Sequence, residues 1–149
     1  MVLNYDCLRS VLLSLENLLK IDQVQRDQVP GSSSNDIVHD KKLYLRFQSI
    51  SLDEIMKADT LRPYEKEDLF YAIYNLEQAG YISACIKRAG NCVTYCAVSD
   101  ITYEGHMFLK NVHDDTVWAA VKRKIGPMAH ASLPVLLEVA ASCVMGRSV

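Results

Sequence analysis

A chain of 149 residues, 50% of them hydrophobic, carries enough apolar material for one domain with a substantial core and too little length to favour two. Sixteen basic and 18 acidic residues leave a net charge of -2, so no overall field draws nucleic acid to the protein and any such contact must come from a local basic patch. The opening run Met1-Val-Leu-Asn-Tyr-Asp6 lacks the basic start and unbroken apolar stretch of a secretory signal, and the later apolar runs are short for a bilayer; the expectation is a soluble cytoplasmic protein without a membrane contact.

Leu8, Val11, Leu12, Leu15, Leu18 and Leu19 recur at helical spacing, with Ser10, Ser14, Glu16, Asn17 and Lys20 opposite, which predicts an amphipathic helix over about 5–20. Periodicity then disappears from Asp22 to Lys42, where Pro30-Gly-Ser-Ser-Ser-Asn-Asp36 has the composition of a solvated, flexible loop. Leu43, Leu45 and Phe47 alternate with Tyr44, Arg46 and Gln48, the period of a short, half-buried edge strand. Ser51-Leu-Asp-Glu54 matches a capping box for a short helix from Leu52 to about Ala58, with Leu52, Ile55 and Met56 inward. Pro63 suits the first position of the next helix, expected over about 64–79 with Leu69, Phe70, Ile73, Leu76 and Ala79 on one face and Gly80 as its terminator.

Tyr81 to Lys87 and Cys92 to Val98 read as two strands joined through Arg88-Ala-Gly-Asn91, with Ala89-Gly90 as the two-residue loop. That register puts Ile82, Ala84, Ile86, Val93, Tyr95 and Ala97 on one face and Ser83, Cys85, Lys87, Cys92, Thr94 and Cys96 on the other. Helix, turn, helix and hairpin in this order predict an α+β, winged-helix-like single domain with a small antiparallel hairpin sheet and additional C-terminal helices over about 102–146.

The most specific text is Ile101-Thr-Tyr-Glu-Gly-His-Met-Phe-Leu109 followed by His113-Asp-Asp-Thr-Val-Trp118. It predicts two helices broken by a corner, capped by Thr102 and Asp114, with Met107, Phe108 and Val112 inward on the first and Val117, Trp118, Val121 and Ile125 inward on the second. Gly126-Pro127 stops the second, and Met128 to Ala131 is a short connection. Ser132 caps a last helix through about Met145, so apolar that it either lies deep against the first helix or joins a second copy in a dimer through Leu133, Leu136, Leu137 and Val144.

The stretch from Ile101 to Trp118 resembles the signature of a family of small phage and prophage proteins, domain of unknown function 2513, whose members carry Leu-Thr-x-Glu-Gly-His-x-Phe-Leu and then Asp-Asp-x-x-Trp. Ile101 replaces the usual Leu. The resemblance covers roughly the last ninety residues well and the first sixty loosely, with Val24 to Lys42 divergent. It implies a winged-helix-like fold and a home on mobile elements in a bacterial host, and it brings no known activity.

Several residue groups invite chemistry. Cys85, Cys92 and Cys96 raise a zinc reading, but positions four apart in an extended strand lie about 13 Å apart, too far to share one ion. With five cysteines and no secretory signal, reduced thiols are expected and no structural disulfide. His106 and His113 with Asp114 and Asp115 raise a hydrolase reading, yet the histidines fall about 10 Å apart on a helix and Asp114 is better used as a cap. The plainer expectation is that Gly105 permits a close helix contact and His106 makes a structural hydrogen bond. No cofactor, metal or small-molecule substrate is indicated, and the expectation is a non-enzymatic binding module.

Two partners compete for it. Arg62 and Lys66 at the start of the reading helix, Tyr71, Asn75 and Gln78 along it, and Lys87 and Arg88 at the hairpin tip are groups that contact phosphates and base edges in DNA. Glu65, Glu67 and Asp68 oppose that reading. Tyr64, Tyr71 and Tyr74 beside those acids read as a contact for a host protein, because tyrosine supplies rigid amphipathic area, and the chain would then be a phage factor that inhibits a host protein or defence system.

Overall fold

The computed structural model describes residues 2–25, 28–31, 42–126 and 133–145. Helix α1 (Tyr5–Leu18) starts where the Asn4 side chain accepts a hydrogen bond from the Cys7 amide at 3.0 Å, and it buries Cys7, Leu8, Val11, Leu12 and Leu15. Ser14, expected on the polar side, is buried instead, and its hydroxyl pairs with that of Thr60 at 2.8 Å. The chain after α2 packs against that side of α1, so the helix is enclosed over more than its apolar stripe.

Two strands follow, β1 (Ile21–Gln25) and β2 (Leu43–Phe47), antiparallel with Ile21 opposite Phe47 and Gln25 opposite Leu43. The expected loop over 22–42 therefore opens with a strand. Ile-Asp-Gln-Val-Gln buries only Val24, so no apolar alternation announces it; pairing and an ion pair hold it. The Asp22 carboxylate accepts two hydrogen bonds from Arg46, at 3.0 and 2.6 Å, and one from Gln48 at 2.9 Å. Nor is β2 the half-buried edge of the hairpin sheet: it belongs to this separate ribbon, and Leu43, Leu45 and Phe47 face solvent.

The second sheet has the order β3 (Ile50–Ser51), β5 (Cys92–Ile101), β4 (Ile82–Ala89), antiparallel throughout. Between β3 and β4 come α2 (Leu52–Ile55), capped by the Ser51 hydroxyl at 3.3 Å from the Glu54 amide, a 3-10 turn (Asp59–Leu61), and α3 (Lys66–Gln78). Helix α3 begins three residues after Pro63, which sits in the preceding turn. The cap is Glu65, whose amide donates to the Asp68 carboxylate at 3.4 Å. The acids at this end thus start the helix, replacing the proline in that role. Leu69, Ala72, Ile73 and Leu76 enter the core, and Gly80 ends the helix with its amide on Glu77 and that of Tyr81 on Leu76.

The hairpin turns at Gly90-Asn91, one residue later than Ala89-Gly90, because Gly90 adopts φ +60 and Ala89 pairs with Cys92. A one-residue shift exchanges faces along a strand. Irregularities between Ser83 and Ala84 and between Lys87 and Arg88 shift it further, so Ile82, Ala84 and Ile86 stand opposite Ile101, Val98 and Cys96. Cys96 accordingly joins the core while Cys85 and Cys92 are exposed, and the three cysteines do not share a face.

Helices α4 (Tyr103–Val112) and α5 (Asp115–Ile125) make the expected corner, capped by Thr102 and Asp114. Val117, Trp118, Val121 and Ile125 are buried as the spacing predicts. On α4 the inward set is Gly105, Phe108, Leu109 and Val112; Met107 is exposed, since helical rotation places Leu109 on the core side in its stead. The last helix, α6 (Leu133–Met145), packs chiefly on α5 and α4 rather than deep against α1, burying Leu136, Ala140 and Cys143. The Met128–Ala131 connection, the Ser132 cap and the side chains of Leu133 and Leu137 lie outside the described residues. Among the described residues no helix is long and apolar enough to cross a membrane.

Candidate functional site

The signature corner is a joint. Arg9 of α1 reaches across to donate to the carbonyls of Val112 at 2.7 Å and His113 at 2.9 Å, the open end of α4, and to the Asp115 carboxylate at 2.8 Å. Its guanidinium lies 5.5 Å from the Trp118 ring centroid, and the Trp118 indole donates to Asp6 at 2.8 Å. Lys122 completes the set at 3.1 Å from Asp6. Burial works against the Asp6 charge, but the Trp118 hydrogen bond, Lys122 and Arg9 outweigh it and hold this carboxyl below the usual range. Asp115 and Trp118 are therefore occupied in binding α5 to α1, and Asp114 in capping.

That arrangement engages Asp114 as a cap and Asp115 with Arg9. The His106 side chain is exposed and has no hydrogen bond among the described residues, so the structural bond expected of it is not there. Gly105 does make the expected close approach: a Cβ there would overlap the Tyr81 carbonyl oxygen and lie 2.8 Å from Ile101 Cγ2. Among the described residues no group of three or more His, Cys, Asp or Glu side chains could hold a metal ion. Burial pushes the Cys96 thiol up, and burial with the Asp68 charge pushes that of Cys7 up to about 12.

Of the remaining candidates, Lys66, Tyr74, Gln78, Lys87 and Arg88 lie where α3 faces the hairpin, while nothing brings Arg62, Tyr64, Tyr71 and Asn75 onto the hairpin. Each basic group among them already has company. Arg62 pairs with Asp59 at 2.8 Å and Lys66 with Asp53 at 2.9 Å. The Lys87 ammonium lies over Tyr95 and the Arg88 guanidinium over Tyr74, each 5.5 Å from the ring centroid. Asn75 donates to the Tyr71 carbonyl within α3 at 2.7 Å, and Gln78 to Glu77 at 3.2 Å. Tyr64, Tyr71 and Tyr74 are half-buried, and Phe70 and Tyr74 form a tilted ring pair at 6.1 Å.

Between α3 and β5 runs an open groove of about 330 Å³ lined by Ser51, Asp53, Lys66, Phe70, Val93 and Tyr95, among others. Phe70, Val93 and Tyr95 were missed as surface residues by sequence reasoning, which placed all three on inward faces. The signal that could have found Val93 and Tyr95 is the Gly90-Asn91 turn, which sets the register. Of the residues expected to make a contact through α6, Leu136 is fully buried within the chain and so offers no outward surface, and Val144 is half-buried against the core.

The fold and this surface define an α+β domain of six described helices around small antiparallel sheets, presenting a helix and a hairpin to solvent. The chain belongs to the family described as Hypothetical protein (DUF2513), whose model matches residues 41–130. No curated protein and no solved structure matches it. The matched span runs from β2 through α5 and leaves Asp6 and Arg9, the residues that hold the corner, outside it.

Proposed function

We propose that this chain is a non-enzymatic binding module of winged-helix type, carried by a phage or prophage as its family resemblance implies, and that the α3–hairpin surface takes a partner protein rather than duplex DNA. The order α1, β3, α2, α3, β4, β5 and the sheet order β3-β5-β4 support the winged-helix reading. The observation that carries the choice of partner is the charge of the surface. Arg62, Lys66, Lys87 and Arg88 are outnumbered by Asp53, Asp59, Glu65, Glu67, Asp68 and Glu77. Duplex DNA is bound by displacing counterions with unopposed cations, and here Arg62 and Lys66 would first have to leave a carboxylate. Half-exposed Phe70, Tyr74, Val93 and Tyr95 instead offer the aromatic ground that protein interfaces use.

Fluorescence anisotropy with mixed-sequence duplex, at low and at physiological salt, tests this. The expected result is no saturable binding at either salt. Binding at low salt that weakens steeply with added salt and disappears in Lys87→Ala/Arg88→Ala would overturn it in favour of a DNA regulator. Its positive arm is a photo-reactive phenylalanine analogue at position 95: a discrete cross-linked host protein is expected, lost in Tyr74→Ala.

A further inference from the structure

The β1–β2 ribbon carries its apolar residues outward. Its register aligns Ile21 with Phe47, Gln23 with Leu45 and Gln25 with Leu43, and these six share one face. On that face Ile21 is 59%, Phe47 53%, Leu45 76% and Leu43 51% exposed. The opposite face holds Val24, 5% exposed, and the Asp22–Arg46 pair. A two-stranded ribbon is marginal by itself. Val24 is its buried side chain against the body of the protein; Ile21 and Phe47 line a hollow with Leu15, Leu19 and Ile101, and all four large apolar residues stay more than half exposed.

We infer that this face is where two copies of the chain meet, ribbon against ribbon across a two-fold axis. Three observations favour a second copy as the occupant. The six residues of the face carry no charge, so packing them on their own copies brings no like charges together, whereas the Asp22–Arg46 ion pair is turned away. Its polar members, Gln23 and Gln25, both donate and accept, so each amide can pair with its own copy. The area is also of the right order: with side chains of this size offering about 150–200 Å² each, the four expose roughly 400 Å². With the flanking glutamines the face comes to roughly 600 Å², the low end of what each partner gives to a specific interface.

Sedimentation velocity of the full chain over about 1 to 200 µM tests the inference. The expected result is a mass that rises with concentration toward twice 16.8 kDa. Leu45→Asp should weaken the dimer at least about tenfold, and Leu43→Asp likewise. Both side chains are solvent-facing, so circular dichroism of the two variants should match the parent. Val93→Asp, on the hairpin, should leave the dimer constant unchanged. A parent that is monomeric throughout overturns the inference, with the apolar face then left to a different partner. It is equally overturned if Leu45→Asp and Leu43→Asp dimerise like the parent, or if Val93→Asp alone disrupts the dimer. The first two outcomes leave the α3–hairpin reading to the anisotropy and cross-linking measurements, whereas loss of the dimer in Val93→Asp would make the α3–hairpin groove the contact between copies.

Discussion

Replacing Gly105 by alanine is the sharpest test of how α4 is seated. In an unobstructed helix interior this change stabilises by about 1 kcal/mol, because glycine is the poorer helix former. Here the new methyl would overlap the Tyr81 carbonyl oxygen and lie 2.8 Å from Ile101 Cγ2. The obstacle is backbone, and that carbonyl is already committed: it accepts the Thr102 amide at 3.0 Å, while the Thr102 hydroxyl donates to the Gly80 carbonyl at 2.6 Å. Relief therefore requires moving α4 away from Tyr81. Overpacking of this kind costs about 1–3 kcal/mol, and weakening the Thr102–Tyr81 bond costs about 1 kcal/mol more. The stacking of Tyr81 on Phe108, 5.5 Å between centroids, suffers with it. After the gain in helix propensity the net loss is about 1–3 kcal/mol, a fall in Tm of about 3–10 °C for a chain of this size. Urea and thermal unfolding followed by circular dichroism measure it. A Gly105→Ala protein as stable as the parent, or more so, refutes the close approach.

The corner makes a paired prediction. Arg9→Met leaves the Val112 and His113 carbonyls without their donor, where the arginine side chain is only 12% exposed, and should cost about 2–3 kcal/mol by urea unfolding. Asp115→Ala removes a 94% exposed carboxylate from the same arginine and should stay within about 0.5 kcal/mol. For Asp6 the sign follows from a folded pKa held below its unfolded value. Its contribution is present above the unfolded pKa, about 4, and is lost as pH falls through the folded one, so the stability gap between parent and Asp6→Asn should be largest near neutrality and close in acid. Thiol titration of the native protein should find Cys85 and Cys92 reacting promptly, while buried Cys7, Cys96 and Cys143 react only on unfolding. Prompt reaction of Cys96 would mean that the hairpin register is wrong.

What was legible in the sequence was local. Thr102, Asp114 and Ser51 cap their helices because a short oxygen-bearing side chain ahead of an apolar stripe has one cheap use, to accept a free amide of the first turn. The stripes of α1 and α5 and the α+β order were readable for the same reason: helical periodicity is a property of neighbours in the chain. On α3 the spacing located Leu69, Ile73 and Leu76 in the core but grouped half-exposed Phe70 with them and left out Ala72.

Tertiary structure decided the rest. Whether β5 shows Cys96 or Tyr95 to solvent depends on one residue of turn and on two irregularities in the hairpin, and a one-residue shift inverts every face beyond it. That is how Val93 and Tyr95 came to line the groove. The strand β1 has no signal of its own, since its partner residues stand about twenty positions away and its buried side is one valine. The alternation of β2 was read correctly as a strand and incorrectly as half-buried, because period two says which residues share a face and says nothing about what covers it. Asp6 and Arg9 look like ordinary polar residues of an amphipathic helix, and only the fold brings them to Trp118 and the end of α4, more than a hundred residues on. The sequence by itself determined which elements form and how they are capped, through interactions within a few residues; what each face meets, and hence which surface is left for a partner, was settled by contacts between segments far apart in the chain, for which a single sequence holds no periodic trace.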